Sequence, residues 1–364
     1  MTLGISYALN RRLVVMGDLL LSGDETEHDV SIPSVGKVTE VFPKGSGYSI
    51  VGLTQKVIVI CDDMAIAWAG HEVAARLVIQ ELRAMAGSGL TPAALRAYLK
   101  QLPDDLNGLD LQLTGYFVYE NAAYQINFDA RTFDTPSCTD LHLIGTGAPV
   151  FESLLGQYQW ETGTALGVEA DRATYLSTTM AFAGMLLELE LKSKTTSLHC
   201  YFGGGYEIVF GEDGAFRKLD DVTHVYWNIH VSGKEVGISK PFHIQKQFYR
   251  NGHLMIMPIR FSAADAEEQG VTATELHVVA EPGITVSANE LGMDDLPSLN
   301  SRNTLHYFIQ GETEQVFTRF QYRPNPKDND LTIVETETGL QLKIRKEFFK
   351  HIAEKVRNDP RWQP

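Results

Sequence analysis

The order in which strand-like and helix-like segments follow one another constrains this chain more than any single motif. After Thr2 the side chains alternate as in a strand, Asn10-Arg11 marks a turn, Leu13 to Met16 form a second apolar run, and Asp18 closes it. That is the pattern of a hairpin. Residues 22–50 break the rhythm with Gly, Ser, Asp and Pro around one short apolar piece, Val38 to Phe42, and predict a long loop or an extra hairpin. From Lys56 a strand pair leads into an amphipathic helix. Ala74, Leu77, Val78, Leu82 and Met85 fall at helical spacing, and Gly87-Ser-Gly89 ends the run. Thr91-Pro92 then supplies an N-cap and a first-position proline for a second helix, which the pattern carries through Leu102 and ends at Pro103.

Residues 111–128 and 139–144 read as strands, with Gly115, Glu120-Asn121 and Pro136 at their turns. Helices are predicted over Val150–Gln157 and about Ala170–Lys192, followed by strands at Cys200–Phe202 and Tyr206–Phe210 around a plain turn at Gly203–Gly205. Beyond residue 212 strand-like runs dominate: Val222–Val231, Leu254–Phe261, Leu276–Val279, Thr304–Ile309, Gln315–Tyr322, Leu331–Glu335 and Leu340–Ile344. One helix, Arg345–Arg357, follows them. The division expected is a domain of residues 1–212, its last strands reaching as far as about 262, and a β-rich extension of residues 213–364.

Composition narrows the function classes. A net charge of −15 with no Lys/Arg cluster argues against nucleic-acid and anionic-membrane partners, which need basic surface. No apolar run approaches the roughly 18 residues that span a bilayer, and the N-terminus lacks the parts of a signal peptide, so the expectation is a cytoplasmic protein. Cys61, Cys138 and Cys200 are widely spaced in apolar contexts and read as core thiols. His71-Glu72 opens like a zinc-protease helix but lacks the second histidine, and no GxGxxG, P-loop or GxSxG pattern is present. No metal and no organic cofactor are expected.

Thr2 becomes the first residue if Met1 is removed. A threonine at a free N-terminus carries nucleophile and base together, since its α-amine, which ordinarily titrates at about 7.7–8.0, can take the hydroxyl proton. Downstream, Gln55-Lys56 opens a run that ends in Ala69-Gly70 and enters a helix, and Asp140-Leu-His-Leu-Ile-Gly145-Thr146-Gly147 leads into another. In these three ordered blocks the chain resembles proteasome β-subunits and the related bacterial ATP-dependent threonine peptidase, over roughly residues 2–210.

The resemblance implies an α+β fold, a four-layer αββα N-terminal-nucleophile (Ntn) hydrolase sandwich, with the β-rich region appended. It implies Thr2 as nucleophile and Asp18 and Lys56 as the carboxylate and lysine that act on its hydroxyl. Gly70 would be the oxyanion-hole position and Thr146 the hydroxyl that orients the amine. A homo-oligomer, a peptide or protein substrate and an unfoldase partner go with it. The family's aspartate before the last strand has no counterpart in Ser197-Leu-His199-Cys200, and the Asp18 to Lys56 interval is about twenty residues longer than in the family, which leaves Lys37 and Lys44 as rival lysines. Lys56 is favoured by its spacing to Gly70. Two other readings stand beside the peptidase: an inactive structural or binding protein, and a small-molecule amidohydrolase whose 22–50 insertion covers the site.

Overall fold

A computed structural model describes residues 2–9, 11–24, 30–42, 45, 47–133, 139–157, 168–192, 196–233, 235–261, 271–273, 275–284, 286, 299–311, 315–336 and 339–362. Lys44 and Cys138 lie outside the described residues. The chain forms two compact units: Met1–Thr179, Met185–Leu219 and Val279–Val286 in the first, and Met180–Gly184, Asp220–Val278 and Ser287–Pro364 in the second.

In the first unit Gly4–Leu9 and Arg12–Asp18 pair in register from Gly4↔Gly17 to Leu9↔Arg12, with Arg11 turning the chain at φ 64. They lie at the middle of a six-stranded antiparallel sheet, flanked by Thr139–Ile144 and Tyr206–Glu212 and edged by Arg131–Phe133 and Ala215–Lys218. A four-stranded antiparallel sheet runs in the order Ala122–Phe128, Leu111–Tyr119, Met64–Gly70, Val57–Cys61. Val15, Ile144 and Val209 of the first sheet share a buried cluster with Val57, Ala65, Ala67 and Ala69 of the second. The small alanines let the backbones that carry the site approach closely. Trp68, Ile66 and Leu113 pack instead against Ala75, Val78 and Leu82 of the helix Glu72–Gly87 and Leu95 and Leu102 of the helix Pro92–Asp105.

Both helices start on side-chain caps. The His71 ring accepts from the Val73 amide at 3.2 Å, a use of the zinc-like His-Glu pair that needs no metal, and Thr91 Oγ1 accepts from Ala94 N at 3.2 Å. Pro103 does not stop its helix, which continues to Asp105. A proline this close to the end forfeits one amide bond, and Leu106 N still closes on Leu102 O at 3.0 Å. The described parts of the long interval after Asp18 form strands: Leu20–Asp24 pairs with Tyr48–Leu53 and Ser31–Ile32 with Gly36–Lys37 around a cluster of Leu20, Ile32, Val35, Val38, Phe42, Ile50 and Leu198.

The second unit is organised by a nine-stranded sheet. Val222–Ser232 runs parallel to Asn303–Gln310 and antiparallel to Glu235–Arg250. Glu235–Arg250 is 16 residues long, and the sequence pattern does not reveal it, because its buried stretch carries His243, Gln245, Lys246 and Gln247 where alternation calls for apolar residues. Trp227, Phe308 and Leu331 meet Phe348, Ile352 and Val356 of the terminal helix Lys346–Asn358 in one core.

The four-layer αββα sandwich with an appended β-rich region is therefore corrected. Among the described residues strand makes up 47% and helix 29%, with several antiparallel sheets. Two stretches add strand beyond the expectation and one removes it. Leu20–Asp24 with Tyr48–Leu53 and Ser31–Ile32 with Gly36–Lys37 form two small sheets, Glu235–Arg250 adds a 16-residue strand to the largest sheet, and the expected strand Cys200–Phe202 is instead the exit of a helical turn, Thr196–His199. No helix among the described residues is long and apolar enough to cross a membrane.

Candidate active site

Thr2 sits just before the Gly4–Leu9 strand and is pinned by backbone on both sides. Its carbonyl accepts from Gly147 N at 3.0 Å, and the next residue exchanges two bonds with Asp18: Leu3 N donates to Asp18 Oδ1 at 3.0 Å, and Asp18 N donates to Leu3 O at 3.0 Å. Gly145, at φ +83, has no room for a side chain, since a Cβ there would come within 2.0 Å of the Thr2 oxygen. The Gly145-Thr-Gly147 turn thus meets Thr2 through its backbone. The Thr146 hydroxyl points elsewhere and donates to Cys200 O at 2.5 Å, so among the described contacts it does not orient Thr2.

Lys56 reaches the Thr2 hydroxyl. Its Nζ donates to Thr2 Oγ1 and, at 2.6 Å, to Leu20 O, and lies 3.7 Å from Asp18 Oδ1. Thr2, Asp18 and Lys56 are 0%, 0% and 1% exposed. Asp18 Oδ2 accepts from Gly203 N at 2.9 Å and Leu20 N at 3.3 Å, so the carboxylate is held by backbone amides while it faces the ammonium. Burial pushes the Lys56 ammonium well below the usual lysine range, against the pull of Asp18, and burial likewise raises the Asp18 carboxyl, against Lys56 and the amides of Leu3 and Gly203. Trp68 lies beside Lys56, with the ammonium 5.2 Å from its ring centroid, a cation–π contact. Lys37 is exposed on its short strand.

Glu207 fixes the Lys56 backbone, accepting from Lys56 N at 2.9 Å and Val57 N at 3.3 Å while pairing with Lys218 at 3.0 Å. A cavity of about 320 Å³ is lined by Gly70, Asp110, Gln112, Arg131, Gly145 and Thr146 among others; Gly145 and Thr146 link it to the turn that holds the Thr2 backbone, while the buried Thr2 side chain is not part of the lining. Gly70 is at φ +109, with Asp110 O where a Cβ would go, so only glycine fits this rim. Sequence reasoning missed Glu207, Trp68 and a further buried acid, Glu190. A signal for the last lay in Gly203-Gly-Gly205: at φ +129, +77 and +124 the three glycines form a turn whose successive amides face two carboxylates. Among the described residues no group of three His, Cys, Asp or Glu side chains could hold a metal ion.

Comparison with known protein families gives no match, and no curated protein is significantly similar to the chain.

Proposed function

We propose that the chain, once Met1 is removed, is a threonine-type N-terminal-nucleophile hydrolase that cleaves peptide or amide bonds, sharing the chemistry of the proteasome β-subunits it resembles. The observation that carries this reading is the Lys56 ammonium on the Thr2 hydroxyl with Asp18 3.7 Å behind it, all three groups buried. Thr2 Oγ1 would attack the carbonyl carbon as its proton passes to the Thr2 amine, and Lys56 would lower the cost of negative charge on Oγ1. The Gly70 N–H is the oxyanion donor in this scheme. The amine would hand its proton to the leaving nitrogen, and water would then cleave the Thr2 ester. The reaction as written uses no metal and no organic cofactor.

With Met1 attached, the Thr2 nitrogen is an amide and cannot accept a proton. Intact-mass analysis before and after a peptide epoxyketone tests both steps, since that reagent closes a ring only with a hydroxyl and an amine on one residue. The expected result is a chain lacking Met1 that gains one adduct at Thr2. Retained Met1 in protein from its native host, or a processed chain inert to varied peptides, would instead support the inactive binding protein, a reading favoured by the Thr146 hydroxyl lying on Cys200 O. The cavity, about 320 Å³, is at the small end for ligand sites, and profiling acyl amides against peptides separates a small-molecule amidohydrolase from a peptidase. A cytoplasmic location, self-association and an unfoldase partner belong to the same proposal. Val73 and Leu77, 40% and 52% exposed one turn apart on the Glu72–Gly87 helix, support self-association, and a strictly monomeric particle in light scattering at micromolar concentration would count against it.

A further inference from the structure

Glu190, on the helix Val168–Lys192, is buried and has no part in the scheme above. Among the described residues no cation pairs with it. Its donors are the Ser34 hydroxyl and the Gly204 amide, which reaches Oε2 at 2.9 Å and Oε1 at 3.1 Å. The preceding amide, Gly203 N, serves Asp18 Oδ2 at 2.9 Å, and a Cβ on Gly203 would lie 2.1 Å from Glu190 Oε2. Two buried carboxylates thus share one glycine turn, and the second of them faces Lys56.

We propose that Glu190 is a positioning residue that acts through the Gly203–Gly204 turn on Asp18, and so sets the charge on Lys56 that Thr2 experiences. The inference rests on the nucleophile reading of Thr2. When Glu190 ionises, a second negative charge adjoins Asp18, and the pair together hold the proton on Lys56, the form that steadies an alkoxide. Burial pushes the Glu190 carboxyl up to about 7, Asp18 adds to the rise, and Ser34 and Gly204 oppose it. The other titratable groups nearby are set apart: Glu188, two residues earlier on the same helix, pairs with Lys192 at 2.5 Å, and His199 is exposed. Ser34 comes from the long interval after Asp18, so that interval contributes a donor to this carboxylate.

The test is the rate of epoxyketone addition to the full-length processed chain from pH 5.5 to 9, read by intact mass. In the unaltered protein two deprotonations, of Glu190 and of the Thr2 amine, should give a log-rate slope of about two below pH 7. Glu190→Gln should leave a slope of about one, and Glu190→Asp should restore the steeper limb at a shifted midpoint. Ser34→Ala, which removes a donor to the carboxylate, should move the Glu190 limb to higher pH. Identical slopes in Glu190→Gln and the unaltered protein, or an unmoved limb in Ser34→Ala, would overturn the proposal. Absence of any adduct at any pH would be failure of the Thr2 reading instead. Infrared difference spectra then decide on Glu190 by itself: a protonated-carboxyl band present at pH 6, gone by pH 8 and missing in Glu190→Gln is expected, and its absence overturns the inference.

Discussion

Lys56 in the first unit and Lys246 in the second are equally buried, each 1% exposed, yet they are held in opposite ways. Lys246 Nζ donates to Asp221 Oδ1, Asn300 O and Ser301 Oγ, each at 3.0 Å, and Asp221 is in turn bound by Arg302 N at 2.9 Å and Nε at 3.2 Å. Every donor direction of that ammonium ends on a fixed oxygen. Lys56 keeps its carboxylate at 3.7 Å and gives its short bonds to a carbonyl and a hydroxyl. The first arrangement ties strands together. The second directs the ammonium at the Thr2 hydroxyl, the oxygen that attacks in the proposed reaction.

The sharpest way to break this contrast is to remove each charge. Lys56→Met should slow epoxyketone addition at Thr2 by about 10²–10⁴-fold, the size of a single catalytic group, while Lys246→Met should leave that rate unchanged per folded molecule. Equal losses in both would mean that the two lysines do the same job. Denaturant unfolding supplies the converse: Lys246→Met should cost about 3 kcal/mol, since among the described residues Asp221 then retains Arg302 alone as its cation.

Acidity should separate the units with opposite signs. His224 and His306 are pushed down to about 4 by burial, with His243 adding to the effect on His224. Their contribution is present above the unfolded pKa of about 6.5 and is lost as pH falls through about 4. Glu190 is raised to about 7, so its contribution is full below an unfolded pKa of about 4.3 and disappears as pH rises through about 7. The Tm difference between the unaltered protein and Glu190→Gln should therefore be largest near pH 5 and shrink by pH 8. The difference for His306→Asn should grow in the other direction, and parallel curves would refute the distinction. The smallest effect belongs to Lys37, where Lys37→Ala should stay within about 0.5 kcal/mol and leave the adduct rate alone.

What the sequence revealed was local. The first hairpin and the Lys56 to Gly70 stretch carry their geometry in adjacent residues, so the alternation and the capping signals could be read directly. Gly203-Gly-Gly205 signalled a turn able to hold a carboxylate but not which one, because a glutamate near the end of a helix reads as solvated, and only the fold brings Glu190 beneath that turn. Glu235–Arg250 was hidden for the same reason in reverse: its polar side chains are buried, and periodicity assumes that buried means apolar. The family resemblance carried an assumption about layers that the count of strands and sheets does not support.

The pairing of Leu20 with Leu53, reinforced by Thr54 N on Leu19 O at 2.9 Å, closes the long excursion between Asp18 and Lys56 at its base. Leu20 O, at that same base, holds the Lys56 ammonium at 2.6 Å. Closing a longer loop costs only about 0.6 kcal/mol per doubling of its length. Residues can therefore be inserted beside the exposed Gly45 while the spacing of lysine and threonine stays fixed, whereas Ile32, Val35, Val38 and Phe42 are tied to Leu20, Ile50 and Leu198 in their buried cluster. Apart from that cluster and the Ser34 bond to Glu190, the excursion is a graft point, where a chain of this kind can change what it meets without moving the lysine from the threonine.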